Sequence, residues 1–359
     1  MADGSAARLV GPDVVRAVAL IGVVIMNYHG YLIILGGERS RNFWGRQFDP
    51  WEGPLSTRFA ATFVLVAGVG TTLLTRRSLG DRRAVAAKRW TLLRRGLLLF
   101  GFGLIFYDIW AGSILPYYGA MFVLAAALFT LATPWLVAIG AGAAVAGAGI
   151  HWWAIEQATD GESTAWLTNP GPASPRGLVL DTFVNGTHPL FPWLAFFCAG
   201  LVLGRALINA AWRPICLGLG IALFAAATLL EAVFDGGTTL AEELSSTHPL
   251  GRGLLYTASA LGTALVAFTL IYALADRFRS FGFVTLLAHA GQMSLSLYVV
   301  HALVFNFIVN WVGAVRPAGL DLALTFAAIY WIIAIAAGSV WHRRFGIGPV
   351  EWVYRRIGA

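Results

Sequence analysis

Residues 13–32 read DVVRAVALIGVVIMNYHGYL, an apolar and aromatic run with strongly polar groups only toward its ends: Asp13 and Arg16 at one, Asn27 and His29 at the other. A helix rises about 1.5 Å per residue, so the stretch is about 30 Å long, the thickness of a bilayer's hydrocarbon core. It predicts a membrane-spanning helix. Arg16 follows Asp13 at a spacing of three, so the two can pair on one face; alternatively Arg16 is a snorkelling anchor with Asp13 as its counter-ion. His29 lies 13 residues beyond Arg16, roughly 20 Å further along the axis. One helix would join a cation at one mouth to an imidazole near the other.

Similar runs recur outward from this one. Of 359 residues, 58% are hydrophobic and 12% charged, against about 25% charged in soluble domains. No stretch is left for a sizeable soluble domain, and the expected fold is all-α: a single polytopic membrane bundle over residues 1–359. Spans are expected near 14–36, 55–75, 95–110, 113–132, 134–154, 189–208, 214–234, 253–275, 290–312 and 320–341, about ten transmembrane helices. The third is short, and 281–291 is compatible with a short additional helix. The first 12 residues lack a basic leader and no small-residue cleavage site follows, so 14–36 is expected to be retained.

The net charge of +7 has to be sorted by membrane side before it implies a partner, and it does not call for nucleic acid here. Residues 76–95 hold eight Lys or Arg and one Asp; RALINAAWRP (205–214), DRFRS (276–280) and the tail HRRFGIGPVEWVYRRIGA (342–359) are also basic. All four fall on one side of the expected spans. The positive-inside rule makes that side cytoplasmic, together with both termini, with 76–95 a basic cytoplasmic loop and 155–188 an extracytoplasmic loop. The basic segment reads as a topology signal attracted to anionic lipid, or as a landing site for a polyphosphate, whose oxygens match forked Arg donors. The chain has no P-loop or Rossmann glycine fingerprint, which argues against a nucleotide-hydrolysing motor.

GAGAAVAGAG (140–149) lets neighbouring backbones approach closely. THPL occurs at 187–190 and 247–250, where Thr suits a helix cap and Pro a first turn; the alternative is that His188 or His248 lines an external vestibule. Cys198 and Cys216 lie in apolar runs and read as packing residues, with no metal site implied. In GQMSLSLYVVHALVFNF (291–307), Tyr298 and His301 share a helical face and suit either hydrogen bonds to another helix or catalysis. Tyr117 and Tyr118 in ILPYYGAMF (114–122) read as packing or interface aromatics.

Several motifs resemble a known group in their order. RLVGPDVVRAVALIGVVIMNY (8–28) is similar to the opening of the heparan-alpha-glucosaminide N-acetyltransferase-like and DUF418 (YeiB-like) membrane proteins, with Asp13, Arg16 and Asn27 at the matching places. FVLVAGVGTTLLTRR (63–77), ILPYYGAMFVL (114–124), HPLFPWLAFFCAGLVLGR (188–205), GQMSLSLYVVHALV (291–304) and GPVEWVYRR (348–356), which contains Glu351, resemble the DUF418 pattern across nearly the whole chain. The resemblance implies a transmembrane acyltransferase that takes an acyl group, such as acetyl, from cytoplasmic acyl-CoA to a small-molecule, glycan or lipid acceptor across the membrane. It implies a catalytic histidine shortly after the first span. His29 is the nearest match, because residues 37–54 hold no histidine.

The leading expectation is His29 as general base, or as carrier of a covalent acyl group, oriented by Asn27 or a tyrosine. Arg16, Arg94 and Arg95 would hold the CoA phosphates, with Asp13, Tyr117, His188, Tyr298, His301 and Glu351 as further candidates. No metal is expected. The competing class is a transporter or exporter of a small solute, although paired, broken short spans in matching halves are lacking; a non-catalytic scaffold is disfavoured by polar residues inside spans. A bacterial plasma membrane and a homodimer are compatible with this reading.

Overall fold

In the computed structural model, residues 9–168, 174–234 and 246–358 are described, and their regular structure is helical. The main helices are α1 (Val10–Ile34), α2 (Arg58–Thr75), α3 (Arg82–Phe106), α4 (Leu115–Leu128), α5 (Thr133–Thr159), α6 (Leu190–Ala206), α7 (Trp212–Phe234), α8 (Leu254–Arg277), α9 (Gly282–Gln292), α10 (Ser294–Phe305), α11 (Leu320–Phe345) and α12 (Pro349–Ile357). A helix that is hydrophobic all round can be enclosed by other helices or by lipid, and α1 is enclosed by helices. It packs against α2, α8, α9, α10 and α11 with Val15, Leu20, Val24, Tyr28 and Leu32 fully buried.

Among the described residues, seven helices are long and apolar enough to cross a membrane: α1, α2 with its following turn, α5, α7, α8, α10 with its π-helical continuation to Trp311, and α11. Pro175–Asn185 and Leu190–Ala206, bent by 56°, make an eighth if they count as one span. Each of the ten expected apolar runs contains helix, but α3 and α4 differ from the rest. The first half of α3 is strongly basic, and α4 has only 14 residues. The two lie along each other, with Gly96 and Gly119 at their close approach.

Two segments expected to be loops are partly helical. The Asp81 carboxylate caps α3 by accepting the amide N–H groups of Arg83 (2.9 Å) and Ala84 (3.3 Å), and the Arg-, Ala- and Leu-rich sequence propagates the helix from there. Most of the basic stretch 76–95 is therefore helix. In 155–188, α5 continues to Thr159, followed by short helices at Ala165–Thr168 and Pro175–Leu180 and a π turn at Asp181–Asn185; residues 169–173 lie outside the described set. The expected short helix over 281–291 is α9.

Close backbone crossings explain part of the small-residue content. A Cβ on Gly68 or Gly200 would run into the facing carbonyl of Phe197 or Leu65, where α2 crosses α6. Within the small-residue run of α5, Gly140 and Gly147 face Cys198 and Pro192 of α6, whereas Gly142 and Gly149 face open space. Cys198 and Cys216 are buried and free.

Neither threonine of the THPL repeats caps a helix, contrary to expectation. Thr247 instead donates its amide (2.7 Å) and hydroxyl (2.8 Å) to Glu231, and the Thr187 amide donates to the Tyr117 hydroxyl (3.1 Å). A carboxylate or phenol outcompetes the local cap because it satisfies a polar group that is otherwise buried.

Candidate functional site

The basic N-terminal part of α3, the start of α1, the end of α2, the α9–α10 junction and α12 converge at one end of the bundle. They enclose a cavity of about 480 Å³. Arg16, Arg76, Arg95 and Arg355 line it, with Asp13 and Glu351 as its acidic groups. Of the two readings of Asp13 and Arg16, a direct pair does not form: Asp13 Oδ2 accepts from Gln292 Nε2 (2.9 Å). Gln292 Oε1 in turn accepts from His342 Nε2 (2.8 Å), whose ring stacks on His289 at 4.0 Å. The Arg16 guanidinium has no hydrogen bond or ion pair among the described residues, and it passes so close to Gly70 that a Cβ there would lie 2.9 Å from Nη2. Arg95 Nε is also buried without a hydrogen-bond partner, and its guanidinium sits 5.6 Å from the Tyr354 ring.

Glu351 holds the tail against this cavity. Its Oε1 accepts the amide N–H of Leu295 (2.7 Å) and Ser296 (3.1 Å), and the Ser296 hydroxyl donates to Oε2. These are the exposed amides of the first turn of α10, where a carboxylate is favoured by hydrogen bonding and by the helix dipole. A side chain at Gly348 would overlap the pinned carboxylate, which gives the Gly-Pro-x-Glu sequence a structural reason.

The cavity's inner end is formed by Tyr118, Tyr298 and Ile114. The Tyr298 hydroxyl accepts the Ile114 amide N–H (3.2 Å). The Tyr118 hydroxyl is buried and has no hydrogen-bond partner among the described residues. Directly behind Tyr298 is His301, fully buried, with ring centroids 4.8 Å apart. Its Nδ1 bonds the Tyr298 carbonyl, which only accepts, so Nδ1 carries the proton and Nε2 is the acceptor nitrogen. Asn27 Nδ2 lies 3.3 Å from that Nε2 and donates to it. Trp110, edge-on at 5.1 Å, and Tyr28, at 5.9 Å, complete the surround.

His29 stands apart. Two residues beyond Asn27 on a helix, it faces away from it, and it does not line the cavity. Its Nδ1 donates to the Phe48 carbonyl (2.7 Å), while Nε2 is buried without a hydrogen-bond partner. Tyr117, one residue from Tyr118, points the other way, its hydroxyl donating to Asp181 Oδ2 (2.9 Å). His188 lies beside it, 5.9 Å from the Tyr117 ring and 4.5 Å from Trp193. Arg94 is exposed and does not line the cavity. The structure thus joins Arg16, Arg95, Asp13, Tyr298 and Glu351 around one space and sets Asn27 and His301 behind it. Sequence reasoning passed over Arg76, Arg355 and the inward role of Tyr118; helical phase distinguishes Tyr118 from Tyr117 only once the packing is known. Among the described residues, no cluster of three metal-ligating side chains is present.

Residues 8–231, well over half the chain, match the family described as heparan-alpha-glucosaminide N-acetyltransferase, catalytic. The chain belongs to that family. Residues 202–358 match a second family, DUF418, a protein of unknown function. Uncharacterized protein YeiB of Escherichia coli (strain K12) is 24% identical over 390 residues, covering 98% of this chain and 96% of that protein. Membership in the acetyltransferase catalytic family points to a membrane acyltransferase-like function, and the apolar helices agree with an integral membrane protein.

Proposed function

We propose that the protein transfers an acyl group from acyl-CoA, bound in the arginine-lined cavity, to a hydroxyl or amine acceptor. The observation that carries this reading is one cavity lined both by Arg16, whose guanidinium has no partner among the described residues, and by Tyr118, whose buried hydroxyl has no hydrogen-bond partner among them. Arg16, Arg76, Arg95 and Arg355 suit the phosphates of the donor, because guanidinium forks match phosphate oxygens. The Tyr118 hydroxyl is a buried donor placed for the thioester carbonyl oxygen, where negative charge develops during attack. His301 supplies the base: Nδ1 is committed to the Tyr298 carbonyl, and Nε2, whose lone pair accepts from Asn27 at rest, takes the acceptor's proton once the acceptor displaces the Asn27 amide.

In this scheme the acceptor N–H or O–H loses its proton to His301 Nε2 as its heteroatom bonds the acyl carbon. The C–S bond then breaks, and the thiolate of CoA leaves through the arginine-lined mouth, taking up a proton there. The positive-inside pattern of the sequence supports a cytoplasmic position for that mouth, and a bacterial plasma membrane is consistent with the Escherichia coli relative. His29 is assigned a different task, holding the segment around Phe48.

The test is incubation of the purified protein with labelled acetyl-CoA and a panel of sugar, amine and lipid acceptors, following free CoA. Acceptor-dependent CoA release that falls in Tyr118→Phe, with acetyl-CoA binding retained, is the expected result. Absence of both acetyl-CoA binding and CoA release would overturn the proposal.

A further inference from the structure

At the same end of the bundle, between α2, α4 and α6, lies a second pocket of about 310 Å³. Thr72, Thr75, Thr130, Arg76 and Arg205 form its polar wall, and among the described residues no carboxylate lines it. Arg205, in the last turn of α6, is fixed in orientation: Nη1 donates to Thr133 Oγ1 (3.1 Å) and Nη2 to the Phe129 carbonyl (3.0 Å). Those contacts use two of its five N–H donors. Arg89 adds a third cation at the rim through Thr130 Oγ1 (3.2 Å). The Arg76 guanidinium has no hydrogen bond or ion pair among the described residues.

Beside Arg89, large apolar side chains face outward at the rim of the pocket. Leu79 is 50% exposed and Ile208 81% exposed, both lining the pocket just beyond the ends of α2 and α6. Oriented guanidinium groups at the end of membrane helices, edged by large exposed aliphatic side chains, match a ligand with an anionic head and hydrocarbon tails. A free anion would make no use of that rim. We propose that this pocket binds the phosphate of an anionic glycerophospholipid, held by Arg76 and Arg205, with its acyl chains along Leu79 and Ile208. Arg76 also lines the donor cavity, so the lipid site and that cavity share a wall, but the lipid assignment does not depend on the acyl-transfer reading.

The full chain in neutral detergent, titrated with phosphatidylglycerol, phosphatidylcholine or inorganic phosphate and read by native mass spectrometry, tests this. The account expects preferential retention of one phosphatidylglycerol over phosphatidylcholine. It expects about fivefold weaker retention in Arg205→Gln and in Arg76→Gln, the loss that one basic side chain at a membrane surface entails. Arg279→Gln, which removes an exposed charge elsewhere on the protein, is expected to leave retention unchanged. Because Arg205 also ties the turn between α4 and α5, its variant is compared at equal melting temperature, and Arg76→Gln provides the second reading. Equal retention of the two lipids, or an undiminished preference in both variants, would overturn the site. Complete displacement of phosphatidylglycerol by equimolar inorganic phosphate would replace the lipid with a soluble anion and overturn the lipid assignment.

Discussion

Asn27 and His301 are 274 residues apart in sequence and 3.3 Å apart in the bundle, amide nitrogen to imidazole Nε2. The contact fixes one tautomer, because the opposite ring nitrogen is committed to the Tyr298 carbonyl. Asn27→Asp replaces an amide donor by a group that, when ionised, only accepts, so Nε2 must carry a proton to keep the contact. Acyl transfer is expected to fall by about 10²-fold or more, the usual size of a general-base contribution, with acyl-CoA binding little changed. Steady-state rates alongside equilibrium binding separate the two effects.

The Arg16 guanidinium lines the proposed donor cavity without a partner among the described residues. Arg16→Gln is therefore expected to weaken acyl-CoA binding, by about tenfold if one charge-assisted contact to phosphate is lost, and to make that binding less sensitive to salt. Calorimetry at two ionic strengths checks both, and identical affinity and salt dependence in the variant would remove Arg16 from the donor site.

Glu351 is a positioning residue that acts through α10. Glu351→Ala leaves the Leu295 and Ser296 amides without their buried acceptor, an expected loss of about 1–3 kcal/mol visible as a lower melting temperature. Glu351→Gln keeps one accepting oxygen and should recover part of it. Since α10 carries Tyr298 and His301, the alanine variant should lose turnover beyond its loss of folded protein, with the glutamine variant between it and the parent.

The helices, and Arg16 and Arg95 of the four arginines around the cavity, were legible in the sequence, because hydrophobic periodicity and charge clustering are local signals. The grouping of Asp13, Gln292 and Glu351 around one cavity, and of Asn27 with His301, was not. Those contacts join segments from 55 to 279 residues apart and leave no local pattern. His29 drew attention because it shares a helix with Arg16, yet two residues of helical rotation turn it away from Asn27. The basic segment looked like a loop because its charge dominates its apolar periodicity, although Asp81 and good helix formers start a helix there. The THPL repeats suggested caps because the preference of threonine is a local average, and the part-buried Glu231 and buried Tyr117 partners override it.

Outside the spans, Asp49 offers a pH-dependent test. Burial pushes its carboxyl pKa up, but the Arg39 side chain and the amides of Glu52 and Trp51 outweigh that and hold it below the ordinary carboxylate value. A depressed folded-state pKa means the stabilising contribution is fully present above the ordinary carboxylate value and is lost as pH falls through the lower folded value. The Arg39–Asp49 contact should therefore persist at neutral pH and break only in strong acid. Asp49 follows Phe48, whose carbonyl holds His29, so hydrogen exchange across residues 37–54 should rise in acid, and Asp49→Asn should show the raised exchange already at neutral pH. Equal, pH-independent exchange in parent and variant would refute the coupling.

The account's central claim is that His301, behind the cavity, is the base for acyl transfer and that His29 is a structural histidine. The most direct measurement is CoA release from labelled acetyl-CoA by His301→Gln and His29→Gln, each checked for folding by its melting curve and for acetyl-CoA binding. The account predicts a fall of about 10²–10⁴-fold for His301→Gln with binding retained, and activity within a few-fold of the parent for folded His29→Gln. Full activity in His301→Gln, or its loss in a well-folded His29→Gln, would contradict it.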